Sequence, residues 1–129
     1  MKIIADTNIF LAVALNEPEK KDIIRFTAGS DILSPEVLPY EIGNALSAMV
    51  KRKRITQKEA MAAQAAAALI PVQLVDINIS RALEIALHFN IYAYDAYFLH
   101  VAQAFSCPLM TLDKRMMQVA HEMNIEIME

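Results

Sequence analysis

The sequence predicts an α/β domain: a central parallel sheet of about four to five strands with helices on both sides. Short runs that are apolar throughout alternate with longer amphipathic ones along the 129 residues, the signature of strands buried on both faces. Acids follow two of the short runs, Asp6 after Lys2-Ile3-Ile4-Ala5 and Asp113 after Leu109-Met110-Thr111, at the strand ends where open parallel sheets bind ligands. With 56% hydrophobic residues, the length supports one substantial core and is too short for two ordinary domains, so residues 1–129 read as one domain.

In order, Lys2–Ala5 is the first strand, and Asp6-Thr7-Asn8 offers N-cap chemistry to an apolar helix running to Leu15. Lys20–Thr27 has helical spacing and stops at Gly29; Ile32-Leu33, between Asp31 and Ser34-Pro35, is the second strand. From Glu36 to Arg54, the positions Leu38, Ile42, Ala45, Leu46, Met49 and Val50 form one helical stripe. Thr56 followed by Glu59 is a capping box opening an alanine-rich helix that Pro71 closes, so the two helices form a hairpin. Val72–Val75 is the third strand, 78–89 and 95–105 are helices, and Pro108–Thr111 is the fourth strand. Residues 113–123 form the last helix and Ile125–Met128 a final short strand.

Several classes of protein are excluded. No stretch approaches the roughly 20 apolar residues of a membrane span, and Asp6 and Asn8 interrupt the start before a signal-peptide core forms, so a cytoplasmic protein is expected. A single cysteine, Cys107, cannot form an internal disulfide or a thiolate zinc site, and His88, His100 and His121 lack paired ligand spacing. A net charge of −3 argues against a module whose whole task is gripping nucleic acid.

Four carboxylates hold the chemical interest. Glu41 stands inside the apolar stripe of its helix, so it is expected to face inward, with Asn44 one turn on placed to orient it. Asp95 is an N-cap or early-turn acid of its helix. Taken singly, such acids are ordinary caps and turn formers. Together with Asp6 and Asp113 they would repel one another at a shared site unless a divalent ion neutralised them. Mg2+ or Mn2+ is the natural resident, and phosphodiester hydrolysis the reaction it serves.

Asp6-Thr7-Asn8, Glu41-Ile42-Gly43-Asn44-Ala45-Leu46, Asp95-Ala96 and Thr111-Leu112-Asp113, in this order, resemble the motifs of PIN domains, and specifically of VapC-type toxins of toxin–antitoxin systems. The resemblance covers essentially the whole chain. It implies a three-layer α/β/α fold, a magnesium- or manganese-dependent endoribonuclease acting on structured RNA such as tRNA or rRNA, frequent homodimerisation, and an antitoxin whose C-terminal segment blocks the site. It assigns Asp6, Glu41, Asp95 and Asp113 to the catalytic metal-binding set and Asn8 and Thr111 to its support. Some relatives carry a further acid shortly after the fourth, where this chain has Lys114, Arg115, Met116 and Met117; the second ion is then weakly held or completed by RNA. Tyr97, Phe98 and Leu99 are bulkier than is usual after the third acid.

The basic run Lys51-Arg52-Lys53-Arg54 reads as a solvated helix end favoured by the helix dipole, with contact to RNA phosphates near the active face as the alternative. Tyr92, Tyr94 and Tyr97 read as packing at a helix start, and the eight methionines as adaptable core fillers. An aspartyl-nucleophile phosphohydrolase fits poorly, because Thr7-Asn8 follows Asp6 where a second aspartate is wanted, and the early acid pair expected of a receiver domain is absent from this sequence. A free-standing RNA-processing nuclease and a catalytically inert PIN-like binding module remain as alternatives.

Overall fold

The computed structural model describes residues 1–128. Along the chain it has β1 (Lys2–Ala5), α1 (Thr7–Ala14), α2 (Lys20–Thr27), β2 (Asp31–Pro35), α3 (Leu38–Lys51) and α4 (Gln57–Ala68). These are followed by β3 (Gln73–Val75), α5 (Ile79–Phe89), α6 (Ala93–Phe105), β4 (Leu109–Met110) and α7 (Lys114–Glu122).

All strand pairs are parallel, in the order β3-β2-β1-β4. The chain therefore moves one way from β1 through β2 to β3, then crosses back to lay β4 on the other side of β1. Right-handed crossovers put α1–α4 on one face and α5–α6 on the other. The packing agrees: α1, α3 and α4 lie together, while α6 lies across β1 and β2 with α5 and α7 against it. This is a three-layer α/β/α arrangement around a four-stranded sheet, and its direction reverses between β1 and β4. A crevice opens outside the carboxyl ends of strands at such a reversal.

Ile3, Ile4, Leu33 and Leu109 from the sheet are fully buried, as are Leu99 and Val119 from the helices above it. Buried on both faces, the strands need no polar alternation, which is why they read as continuous apolar runs. Ser34 is the exception: its hydroxyl donates to the Ala5 carbonyl across the sheet at 2.7 Å, so it is buried without an unpaired polar atom.

Several boundaries differ from expectation. The last strand shrinks to one parallel bridge, Ile127 with Leu109, because β4 itself is too short to pair a longer neighbour. Helix α3 starts at Leu38, after a turn at Glu36-Val37, and carries Pro39 in its first turn where a missing N–H costs nothing. Helix α6 starts at Ala93, capped by Tyr92 without a side-chain hydrogen bond, so Asp95 is an early-turn acid and not the cap.

Candidate active site

Asp6 and Asp113 sit at the reversal point. Asp6 ends β1 and caps α1: one carboxylate oxygen accepts from the Thr7 amide at 2.8 Å, the other from the Thr111 hydroxyl at 2.7 Å and from Asn8 Nδ2 at 3.2 Å. Asn8 reaches onward, its Oδ1 accepting from the Leu112 amide at 3.1 Å. Thr111 Oγ1 also accepts from the Asp113 amide at 3.1 Å. Asp113 in turn caps α7 by accepting from the Arg115 and Met116 amides at 2.8 and 3.2 Å. Two loops more than 100 residues apart in sequence are thus stapled side by side through Asp6, Asn8 and Thr111.

Glu41 and Asp95 arrive differently. Each is half-buried in the first turn of a helix, Glu41 on α3 and Asp95 on α6, and among the described residues neither carboxylate accepts a hydrogen bond. The favourable N-terminal field of each helix accounts for tolerance of an acid there.

The four acids feel one another. Burial, strengthened by the charges of Asp95 and Asp113, pushes Asp6 up to about 6 in spite of the bonds from Thr111 and Thr7 that favour its ionised form. Burial, then Asp95 and Asp6, raise Glu41 above its ordinary range. Burial, then Asp113, raise Asp95. No side-chain cation relieves this: among the described residues the salt bridge is Arg25–Asp22, on the surface of α2. A concentration of carboxylate oxygen with uncompensated charge fits a hard divalent cation. Among the described residues no three acidic, histidine or cysteine groups close into a cage. The Thr7 hydroxyl is buried with no hydrogen-bond partner among the described residues.

Some expectations need correction. Asn44 is exposed, and its side chain makes no hydrogen bond to Glu41 among the described residues; the Ser47 hydroxyl donates to its backbone carbonyl. A residue three on from an inward position rotates about 300°, far enough for this stripe to leave it at the solvent edge. The basic run does not border the acids, since it lies at the opposite end of α3 from Glu41. Tyr92 is exposed rather than packed, while the half-exposed Tyr94 packs edge-on against Tyr97 with ring centroids 5.8 Å apart. Ser34 and Thr7 were not expected to matter; only their pairing, or lack of it, distinguishes them from ordinary core-edge hydroxyls.

The parallel α/β sheet places Asp6 and Asp113 at its reversal point, with Glu41 and Asp95 near enough for the charges of the acids to act on one another. The chain belongs to the PIN domain family, whose profile matches residues 3–122. PIN domains are in general nucleases and in general use divalent metal ions. Among solved structures, PAE2754 from Pyrobaculum aerophilum is similar at 22% identity over 92% of this chain and 87% of that one, with a TM-score of 0.69. VapBC2 from Rickettsia felis, solved bound to a DNA fragment from its promoter, is similar at 14% identity over 98% and 97%, with a TM-score of 0.66. At these identities the likeness is one of fold. No curated protein matches.

Proposed function

We propose that the chain acts as a single-domain, Mg2+- or Mn2+-dependent endoribonuclease, with tRNA or rRNA as the substrate class, and that it is the toxin of a toxin–antitoxin pair. The observation that carries the nuclease reading is the like charge that Asp6, Asp95 and Asp113 bring to bear on the buried or half-buried carboxyls of Asp6, Glu41 and Asp95, with no salt bridge to relieve it among the described residues.

Asp6, Glu41, Asp95 and Asp113 would hold the metal. When bound, the ion supplies Lewis acidity toward a phosphodiester and activates water for attack on phosphorus. Thr111 and Asn8 fix the rotamer of Asp6, donating to the oxygen not used by the Thr7 amide. Asp113 is fixed by its cap bonds. Glu41 and Asp95, which accept no hydrogen bond among the described residues, would adjust to the ion.

The toxin reading is supported by the fold shared with VapBC2 and by an apolar groove of about 260 Å³ beside the site, where Ile9, Ile23, Phe26, Leu112 and Met117 would receive an apolar antitoxin segment. A homodimer is supported by the exposed stripe Ile79, Leu83 and Leu87 on α5. No helix among the described residues is long and apolar enough to cross a membrane, and we place the protein in the cytoplasm.

The test is cleavage of a tRNA and rRNA pool by purified protein with Mg2+ or Mn2+, against EDTA and the Asp6→Asn and Asp95→Asn variants. Metal-dependent cuts that both variants abolish are expected. A folded, antitoxin-free protein that cuts neither RNA nor single-stranded DNA sinks the reading in favour of an inert binding module. Growth arrest on expression, relieved by a small neighbouring gene product, separates a toxin from a processing nuclease.

A further inference from the structure

We propose that the tip of the α3–α4 hairpin is a second RNA contact, a phosphate-backbone clamp for folded RNA remote from the acids. It rests on the ribonuclease reading and adds the size and shape of the substrate.

Between residues 51 and 59 lie five cations, Lys51, Arg52, Lys53, Arg54 and Lys58, against one acid, Glu59. Outside this tip the chain carries seven cations against fourteen acids. All five cations are exposed, and among the described residues none pairs with an acid. The Glu59 carboxylate is occupied with the Thr56 amide at 2.9 Å in the capping box that holds the hairpin turn.

A solvated helix end accounts for part of this. Lys51 and Arg52 close α3, where the dipole favours cations. Lys58 is in the first turn of α4, the end where the dipole disfavours them. Lys53 is harder still to explain that way. Its φ is 59°, and the Lys53 and Arg54 amides reach back to the Val50 and Met49 carbonyls in the helix-ending turn that ordinarily takes glycine. The other left-handed non-glycine positions are Asn16, Asn90, Asn124 and Ser106, small polar residues suited to that backbone. A long cation is held at a strained position, among four others, with no acid paired to it among the described residues.

Glu41 and Lys51 are ten residues apart on one helix, so the tip stands about 15 Å from Glu41 along the axis at 1.5 Å per residue. That distance spans several base steps of an A-form stem. A di- or trinucleotide held at the acids does not reach the tip; a stem that continues past the cut does. Backbone contact of this kind positions the RNA without reading its sequence.

The test uses the whole chain in the cleavage-silent Asp95→Asn background and measures anisotropy of a labelled stem-loop RNA across a salt series. Lys51→Gln, Arg52→Gln, Arg54→Gln and Lys58→Gln combined should weaken binding about tenfold or more and flatten the log–log salt slope by about 0.9 for each phosphate no longer neutralised. Lys53→Gly should raise Tm by relieving the backbone and still weaken binding, which separates charge from fold. In the active protein, the combined change should raise KM for the stem-loop and leave a trinucleotide's cleavage as it was. Unchanged affinity and slope overturn the proposal. So does polyglutamate competing as well as RNA at the tip, which makes it a protein contact. If the unaltered chain cuts neither substrate, the nuclease reading fails while the binding series still decides the clamp.

Discussion

The two acids at the strand ends and the two on the helices differ in how the fold holds them. Asp6 and Asp113 are built in: each caps a helix, and Thr111 links them, donating its hydroxyl to Asp6 and accepting from the Asp113 amide. Glu41 and Asp95 receive no hydrogen bond among the described residues and are held by the packing of their helices alone. Through these bonds the first pair contributes to folding as well as to the site, while the second pair, half-buried beside like charges, has no such bonds to set against its cost. The acids nearest the sheet form the rigid wall of the site and the helix-borne acids its adjustable wall.

The sharpest break of this comparison comes from activity set against stability. Asp6→Ala and Asp95→Asn should each reduce cleavage by more than about 100-fold, since even outer-shell partners of a metal are worth 10–100-fold. Asp6→Ala should also lose about 1 kcal/mol or more of stability through its cap and the abandoned Thr111 hydroxyl, whereas Asp95→Asn should leave the metal-free Tm unchanged or higher. Thermal melts in EDTA beside the cleavage assay decide it; equal destabilisation by both changes would erase the distinction.

Thr111→Val should come next, weakening metal affinity about 10- to 100-fold by releasing the Asp6 rotamer, read by metal titration of the melting temperature. Asp113→Ala should cost about 1 kcal/mol through the lost α7 cap, while Glu41→Gln costs nothing without metal.

The pH dependence of the metal-free protein cuts across this contrast, because burial raises Asp6 together with the two helix-borne acids. Asp6 is raised from 3.8 to about 6 in the folded chain, and Glu41 and Asp95 are raised too. A raised carboxyl means that the folded state holds protons the unfolded state has released. Stability is then fully present below the ordinary carboxylate range and declines as pH rises through about 6. Chemical denaturation in EDTA from pH 4.5 to 7.5 should show this fall, saturating Mg2+ should flatten it, and Asp95→Asn should reduce its amplitude. Stability rising over that range would contradict the burial and repulsion assigned to the acids. The smallest effect belongs to Asn44→Ala, which should change stability by less than about 0.5 kcal/mol and leave cleavage within about twofold, because Asn44 is exposed and unconnected to Glu41.

Much of this was legible in one dimension. Alternating apolar runs determined the element order and the parallel α/β class, since strands buried on both faces and amphipathic helices differ in local period. The Asp6-Thr7-Asn8 and Thr56 to Glu59 signals determined two helix starts, because a cap needs only residues within one turn. What lies between distant segments was decided by the tertiary structure alone. The order β3-β2-β1-β4 created the crevice between β1 and β4, and only that pairing let Thr111 reach Asp6 across 105 residues. Helix α3 turned Asn44 to solvent and carried the basic run away from the acids, because a helix converts sequence distance into a fixed axial distance and angle. Local periodicity thus settled which residues form elements and which acids end them; long-range packing settled which side chains meet and which charges remain without a partner.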